Sequence, residues 1–190
     1  IFNQRVCFLA SPGGHLAQVL SIRNLTSRQR RFFVTMPTKD ARTSLSNEKV
    51  FYLNLQFKSN NIIENQLKRI FSLLFILIQS IKIIKKNSFD YVFTTGANIG
   101  ILFCLISWIY GKKIILIESY AGVTRFGKLL HLISFKTFVQ WESQINSHKG
   151  SQLIPPLYSS LSYDNLDYNF GNEYIYVSVG STEYQFDRLL

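Results

Sequence analysis

The chain has 190 residues, 47% of them hydrophobic and 17% charged, with 21 Lys and Arg against 11 Asp and Glu and a formal net charge of +10. That length and apolar content suffice for one full domain with a sizeable core, or one domain and part of a second, and they exclude a disordered chain. Two cysteines and three histidines at unrelated spacings exclude a disulfide framework and give no metal-ligand pattern; Cys7 and Cys104 lie in apolar runs and read as buried thiols of a reducing compartment.

Residues 6–10 are apolar throughout and predict a buried strand, which Ser11-Pro12-Gly13-Gly14 breaks before a helical pattern over 16–25. Glycines in such a turn let the backbone pass close to a ligand, and the helix N-terminus offers N–H groups and positive potential. His15 falls near the start of that helix. The helix dipole disfavours a charged imidazole there, so His15 is expected to be neutral near pH 7 and able to accept a proton. A plain structural turn carrying an exposed histidine is the other reading of the same residues.

After Arg28, Arg30 and Arg31, residues 32–35 read as a second strand, 36–40 as a loop and 51–55 as a third strand. Over 62–86 apolar residues recur at three- and four-residue steps, predicting a helix with a wide apolar face flanked by Lys68, Arg69, Lys82, Lys85 and Lys86. Such a helix suits the surface of an anionic membrane, and equally a place across a sheet with its lysines solvated. A strand over 91–95, the turn Gly96-Ala97-Asn98 and a very apolar helix over 99–110 follow. Next come a strand over 114–117 closed by Glu118-Ser119, a loop and helix over 120–133, and a short strand over 137–139 closed by Gln140-Trp141-Glu142. Pro155-Pro156 and the polar run 159–172 read as a linker, after which 174–179 opens a new strand closed by Gly180-Ser181-Thr182-Glu183. No stretch reaches the roughly 18–20 apolar residues of a spanning helix.

Strand and helix alternate from residue 6 to about 142, the pattern of an α/β doubly wound parallel sheet. Each strand ends in a polar cluster, and in an open parallel sheet ligands bind outside the carboxyl ends of the strands, so the clusters should converge on one crevice. Glu118 follows four apolar residues and is expected to be partly desolvated, which suits an acid or base and equally a carboxylate that holds a loop. Trp141 suits stacking on a sugar, a membrane interface or a half-buried core place. Arg125 and Lys128 suit a diphosphate or plain solvation.

The charge is uneven: residues 1–150 hold 20 Lys and Arg against 6 Asp and Glu, and residues 151–190 hold 1 against 5. A basic body favours an anionic partner, either a membrane surface or a phosphorylated ligand. Nucleic acid is set aside, because no reading motif is present and the aromatics sit in apolar runs. A dinucleotide enzyme is disfavoured by the missing G-x-G-x-x-G pattern.

Ser11-Pro12-Gly13-Gly14-His15, Thr95-Gly96-Ala97, Ile117-Glu118-Ser119 and Val139-Gln140-Trp141-Glu142 fall in an order and spacing that resembles the Alg14-like, PssD-type glycosyltransferase subunits of capsule and exopolysaccharide synthesis, over about residues 5–157. Residues 175–189 resemble the opening of the Alg13-like, PssE-type donor-binding partner, related to the C-terminal half of MurG-type enzymes. The resemblance implies a domain at 1–157 with the Rossmann-like fold of the N-terminal half of a GT-B glycosyltransferase. It also implies a linker at 158–173 and the start of a donor half at 174–190, as in a fusion that is cut short; the opening Ile1 implies a natural N-terminus further upstream.

What the resemblance implies for function is inverting transfer, without metal or other cofactor, from a nucleotide-sugar (a UDP-sugar held by the donor half) to a polyprenyl-diphosphate-linked sugar. The place is the cytoplasmic face of the plasma membrane. His15 and then Glu118 are the candidate bases. Ser11, Gly13, Gly14, Gly96, Ala97, Asn98, Ser119, Arg125, Trp141 and Glu142 are the candidate acceptor contacts, and Gly180, Ser181 and Thr182 form a loop of the donor half. The chain departs from the family at Gly122, commonly Arg, and at Ser134-Phe135, commonly Ala-Asp. No transfer is expected from residues 1–190 alone. A non-catalytic membrane adaptor that recruits the donor-binding subunit is the competing reading.

Overall fold

Alternate residues of the first strand enter two different cores, and the rest of the chain follows from that. The computed structural model describes residues 4–54, 62–96, 100–119 and 125–157, with the backbone alone for 62–70. The strands are β1 (Val6–Leu9), β2 (Arg31–Thr35), β3 (Val50–Tyr52), β4 (Tyr91–Thr94), β5 (Lys113–Glu118), β6 (Lys136–Val139) and β7 (Gln152–Leu153). The helices are α1 (Gly14–Ser21), α2 (Lys39–Ser44), α3 (Ile62–Lys86), α4 (Gly100–Ile109) and α5 (Arg125–Ile133). The strands form one sheet in the order β3-β2-β1-β4-β5-β6-β7, every pair parallel. This is the doubly wound topology expected from the alternation. Strands buried on both faces need continuous apolar runs, which β1, β4 and most of β5 supply.

Cys7, Leu9, Phe32, Val34, Val92, Ile114 and Leu116 face α3, α4 and α5 through Ile76, Ile83, Ile84, Phe103, Cys104, Ile106 and Leu130. Val6, Phe8, Phe33, Phe93, Ile115 and Ile117 face α1 and α2 through Leu16, Val19 and Ala41. Both thiols are free and fully buried, and burial pushes them far up from their ordinary range, so neither is a nucleophile.

Several elements differ from the sequence expectation for local reasons. Helix α1 stops at Ser21 rather than running to 25, and the segment after it is held by the Arg31 guanidinium, which takes the carbonyls of Arg23 and Thr26 at 2.7 and 3.1 Å and pairs with Glu48 through Nε and Nη2. Short 3-10 turns carry the chain between. The loop expected over 36–40 runs into α2, whose start Thr38 caps by accepting from the Ala41 N–H at 3.3 Å. Strand β7 is a two-residue exposed edge without an apolar signal. The expected linker and donor-half strand, with Gly180, Ser181 and Thr182, lie outside the described residues, as do Leu55, Ala97, Asn98 and Gly122.

Gly100 opens α4 where it meets the end of β1. A Cβ there would lie 2.9 Å from Leu9 Cδ2 and 3.2 Å from Leu9 Cγ, and Leu9 is itself buried. Gly100→Ala is therefore expected to destabilise the domain by about 1–3 kcal/mol through overpacking; urea unfolding measures it, and an unchanged midpoint contradicts the packing.

Candidate functional site

The strand order reverses between β1 and β4, and the crevice of an open α/β sheet lies at the carboxyl ends of the strands on either side of such a point. Three turns meet there. The turn after β1 carries Ser11, half buried, then Gly13 at φ 84°, a conformation that favours glycine, as the residue before α1. Gly14 is exposed, with nothing within 4 Å of the position a Cβ would take. His15 is the second residue of α1, and its ring crosses to the neighbouring strand ends.

His15 Nδ1 lies 3.2 Å from Thr95 Oγ1, just past β4, and 3.2 Å from Ser119 Oγ, just past β5. The Ser119 hydroxyl donates to the Thr95 carbonyl at 3.4 Å. With its one hydrogen given to that carbonyl, the Ser119 oxygen is left to accept, so Nδ1 carries the ring hydrogen and Nε2 the lone pair. His15 is held below the ordinary imidazole range, first by burial, with a hydrogen bond to the Thr95 backbone pulling the other way. That direction agrees with the neutral histidine expected from the sequence, and burial is its cause. The geometry describes a neutral, tautomer-fixed imidazole at the switch point, the arrangement a general base requires.

Glu118 is more deeply placed than its sequence position implies. It ends β5 at 2% exposure, under the turn after β4: a Cβ on Gly96 (φ 82°) would lie 3.7 and 3.9 Å from its two carboxylate oxygens. Its Oε2 also faces His148 Nε2 at 3.9 Å.

Gln140 is a clamp rather than a contact surface. Its Nε2 donates to the Glu118 carbonyl at 3.4 Å, and its Oε1 accepts from the Leu157 N–H at 2.7 Å. Gln144 Oε1 then accepts from the Gln140 and Trp141 N–H groups, both at 3.2 Å, and shapes the turn after β6. That turn leaves Trp141 43% exposed and Glu142 exposed. Arg125, first in α5, is exposed, as is Lys128 one turn on. No described contact joins either of them, Trp141 or Glu142 to the His15 cluster.

Phe135 has Lys113 Nζ 4.8 Å from its ring centroid and packs edge-on to Tyr91 at 6.5 Å. Thr95 was part of a motif without a role of its own, yet it is fully buried and holds His15. His131 and His148 are 17 positions apart but stand with ring centroids 5.0 Å apart, beside Glu118. No spacing rule signals that pair, because β6 lies between them. Among the described residues no three His, Cys, Asp or Glu side chains are grouped to hold a metal ion.

No protein-family model and no curated protein matches the chain. Solved structures do match in fold. MurG of Acinetobacter baumannii aligns with a TM-score of 0.66 at 14% identity, over 80% of this chain and 46% of its own. UDP-N-acetylglucosamine 2-epimerase of Rickettsia bellii aligns at 0.55 and 12%, over 75% and 40%. Anabaena HepE (Alr3699), in complex with UDP, aligns at 0.53 and 10%, over 80% and 43%. The chain therefore has the α/β Rossmann-like half-domain fold found in GT-B glycosyltransferases, and it spans less than half the length of the solved structures it matches.

Proposed function

We propose that this chain is the acceptor-binding, membrane-associating half of an inverting glycosyltransferase of capsule or exopolysaccharide synthesis, of the Alg14-like, PssD type. It acts with an Alg13-like donor half, which holds a UDP-sugar. The acceptor is a sugar on a polyprenyl diphosphate. The observation that carries this reading is His15, with Nδ1–H engaged by Thr95 and Ser119 and Nε2 basic at the switch point of the sheet. In the reaction Nε2 takes the proton of the acceptor hydroxyl as its oxygen attacks the anomeric carbon. The bond from that carbon to the nucleotide diphosphate breaks, and the nucleotide leaves with the electron pair. The fold shared with MurG and with a UDP-bound HepE supports a nucleotide-sugar partner.

The surface supports the membrane side of the proposal. Helix α3 exposes Phe71, Leu74, Phe75 and Ile78 at three- and four-residue steps, each 47% or more exposed, ahead of Lys82 and Lys85. On the same face of the sheet α4 ends in exposed Trp108 and Ile109, and α5 leaves Leu132 79% exposed. No helix among the described residues is long and apolar enough to cross a membrane. An apolar stripe rimmed by lysines therefore fits shallow insertion at the inner, anionic surface of the plasma membrane.

The test is flotation with vesicles that contain phosphatidylglycerol and a polyprenyl-diphosphate-linked sugar. The chain should float with anionic vesicles and less with neutral ones. Replacing Leu74 and Phe75 together with Glu should cut the bound fraction about tenfold or more, since each removes apolar burial worth ~1.5 kcal/mol and adds repulsion. Equal binding by the double variant would contradict the assignment of this face. An acceptor that never binds, even at an intact membrane surface, would favour the adaptor reading instead.

A further inference from the structure

Behind His15 lies a group of titratable side chains, two of them buried, that the reaction above does not use. They come from three elements: Glu118 from the end of β5, His131 from α5, and His148 from the segment between β6 and β7. His148 is fully buried, its Nε2 faces Glu118 Oε2 at 3.9 Å, and the ring of His131 meets it edge-on at 77°.

The other nitrogen of His148 defines its hydrogen positions. Its Nδ1 lies 3.3 Å from the Gln144 carbonyl, which also accepts the His148 backbone N–H at 3.0 Å. A carbonyl only accepts, so Nδ1 carries a hydrogen whether the ring is neutral or charged. In the neutral ring Nε2 then holds a lone pair, and that lone pair faces another acceptor. A separation of 3.9 Å suits two acceptors with no hydrogen between them, since a charge-assisted N–H···O contact closes to about 2.7–2.9 Å. One proton added to Nε2 turns this opposed pair into such a bond, in a space closed to solvent. His131 is held below the ordinary imidazole range by burial first and by His148 second, against a hydrogen bond to the Lys149 backbone, and its Nδ1 engages Thr137 Oγ1 at 2.8 Å. Glu118 and His131 are the titratable groups shown facing His148 among the described residues.

We infer that His148 is a positioning residue for Glu118: it draws the carboxylate toward itself when Nε2 is protonated and releases it when Nε2 is not. The carboxylate lies against the Gly96 turn, and the residue before that turn is Thr95, which holds His15. A proton on His148 is therefore linked through one carboxylate to the support of the base. Only this last, catalytic consequence rests on the proposed function.

The test begins with the full chain and needs no variant. Long-range proton–nitrogen correlation spectra at pH 8 should show His148 as the Nδ1–H tautomer, whereas free histidine favours Nε2–H. As the pH is lowered Nε2 should gain its hydrogen, and Glu118→Gln should change the pH course of that signal. An Nε2–H tautomer at pH 8 would overturn the inference, as would a pH course unaffected by Glu118→Gln. In the enzyme assembled with a donor half, His148→Gln should lower kcat ~10-fold with KM within about twofold, through misplacement rather than lost binding. A variant with wild-type kcat would overturn the catalytic link. If the wild-type assembly transfers nothing, the proposed function fails, and the spectra still decide the pairing of His148 with Glu118.

Discussion

Replacing His15 with Ala in the assembled two-half enzyme is expected to lower kcat by about 10²–10⁴ while KM for the lipid-linked acceptor changes little, which is the range a general base contributes. The expectation rests on the position of the ring, half buried at the switch point with Nδ1 held between Thr95 Oγ1 and Ser119 Oγ. The sign of the pH dependence follows from the same burial. A base works in its neutral form, and desolvation lowers His15 below the ordinary 6.5, so it stays neutral on the acid side of that value. The acid limb of kcat/KM that His15 governs should therefore lie below pH 6.5, and it should vanish in His15→Ala. Ser119→Ala should have a smaller effect, ~10-fold, because it removes one of the groups that hold the ring and leaves the base. Steady-state kinetics across pH measure all of these, and a His15→Ala enzyme with wild-type kcat would remove His15 from the chemistry.

Phe8→Ala is expected to destabilise the domain by about 3–5 kcal/mol, a large share of the stability of a domain this size. Phe8 is 1% exposed at the centre of β1, stacked on Phe33 of β2 at 5.3 Å and tilted against Phe93 of β4 at 5.6 Å. Its ring thus ties three adjacent strands on the α1 face, and the cavity left by alanine opens where none of them can move in without breaking the ladder. Leu132→Ala provides the contrast. At 79% exposure it should change stability by less than about 0.5 kcal/mol. Chemical denaturation separates the two, and a Phe8→Ala loss below ~1 kcal/mol would mean that the aromatic ladder does not organise the sheet.

Much of the fold was legible because its signals are local. The 62–86 periodicity marked a helix that spans Ile62–Lys86, and the apolar runs marked β1, β4 and β5 within a residue or two. The convergence of His15, Thr95 and Ser119 was legible too, since parallel strands place their carboxyl ends on one edge. What was not legible depends on contacts distant in sequence. Helix α1 ends early and gives way to a 3-10 turn, and Arg31, ten positions past Ser21, takes the carbonyls of Arg23 and Thr26 there. Glu118 follows an apolar run that suggested a partly open edge, but Gly96 and His148 cover it from two other elements. His131 and His148 gave no pattern at all, because β6 lies between them in the chain and their contact depends on the tertiary fold. The excess of cations also sits elsewhere than the crevice: Arg5, Arg30, Lys49 and Lys86 line a cleft of about 250 Å³ at the strand-start edge of the sheet. Net charge alone carries no such address.

The measurement that tests the central claim most directly is sugar transfer from a panel of radiolabelled UDP-sugars to polyprenyl-diphosphate-linked sugars in bacterial membranes. The chain is joined to, or mixed with, a donor-binding half, and the wild type is compared with His15→Ala. The account predicts label on the lipid-linked acceptor with at least one donor, lost by about a hundredfold or more in His15→Ala. Transfer that persists undiminished in His15→Ala, or no transfer from any donor while the chain binds both membrane and donor half, would contradict it.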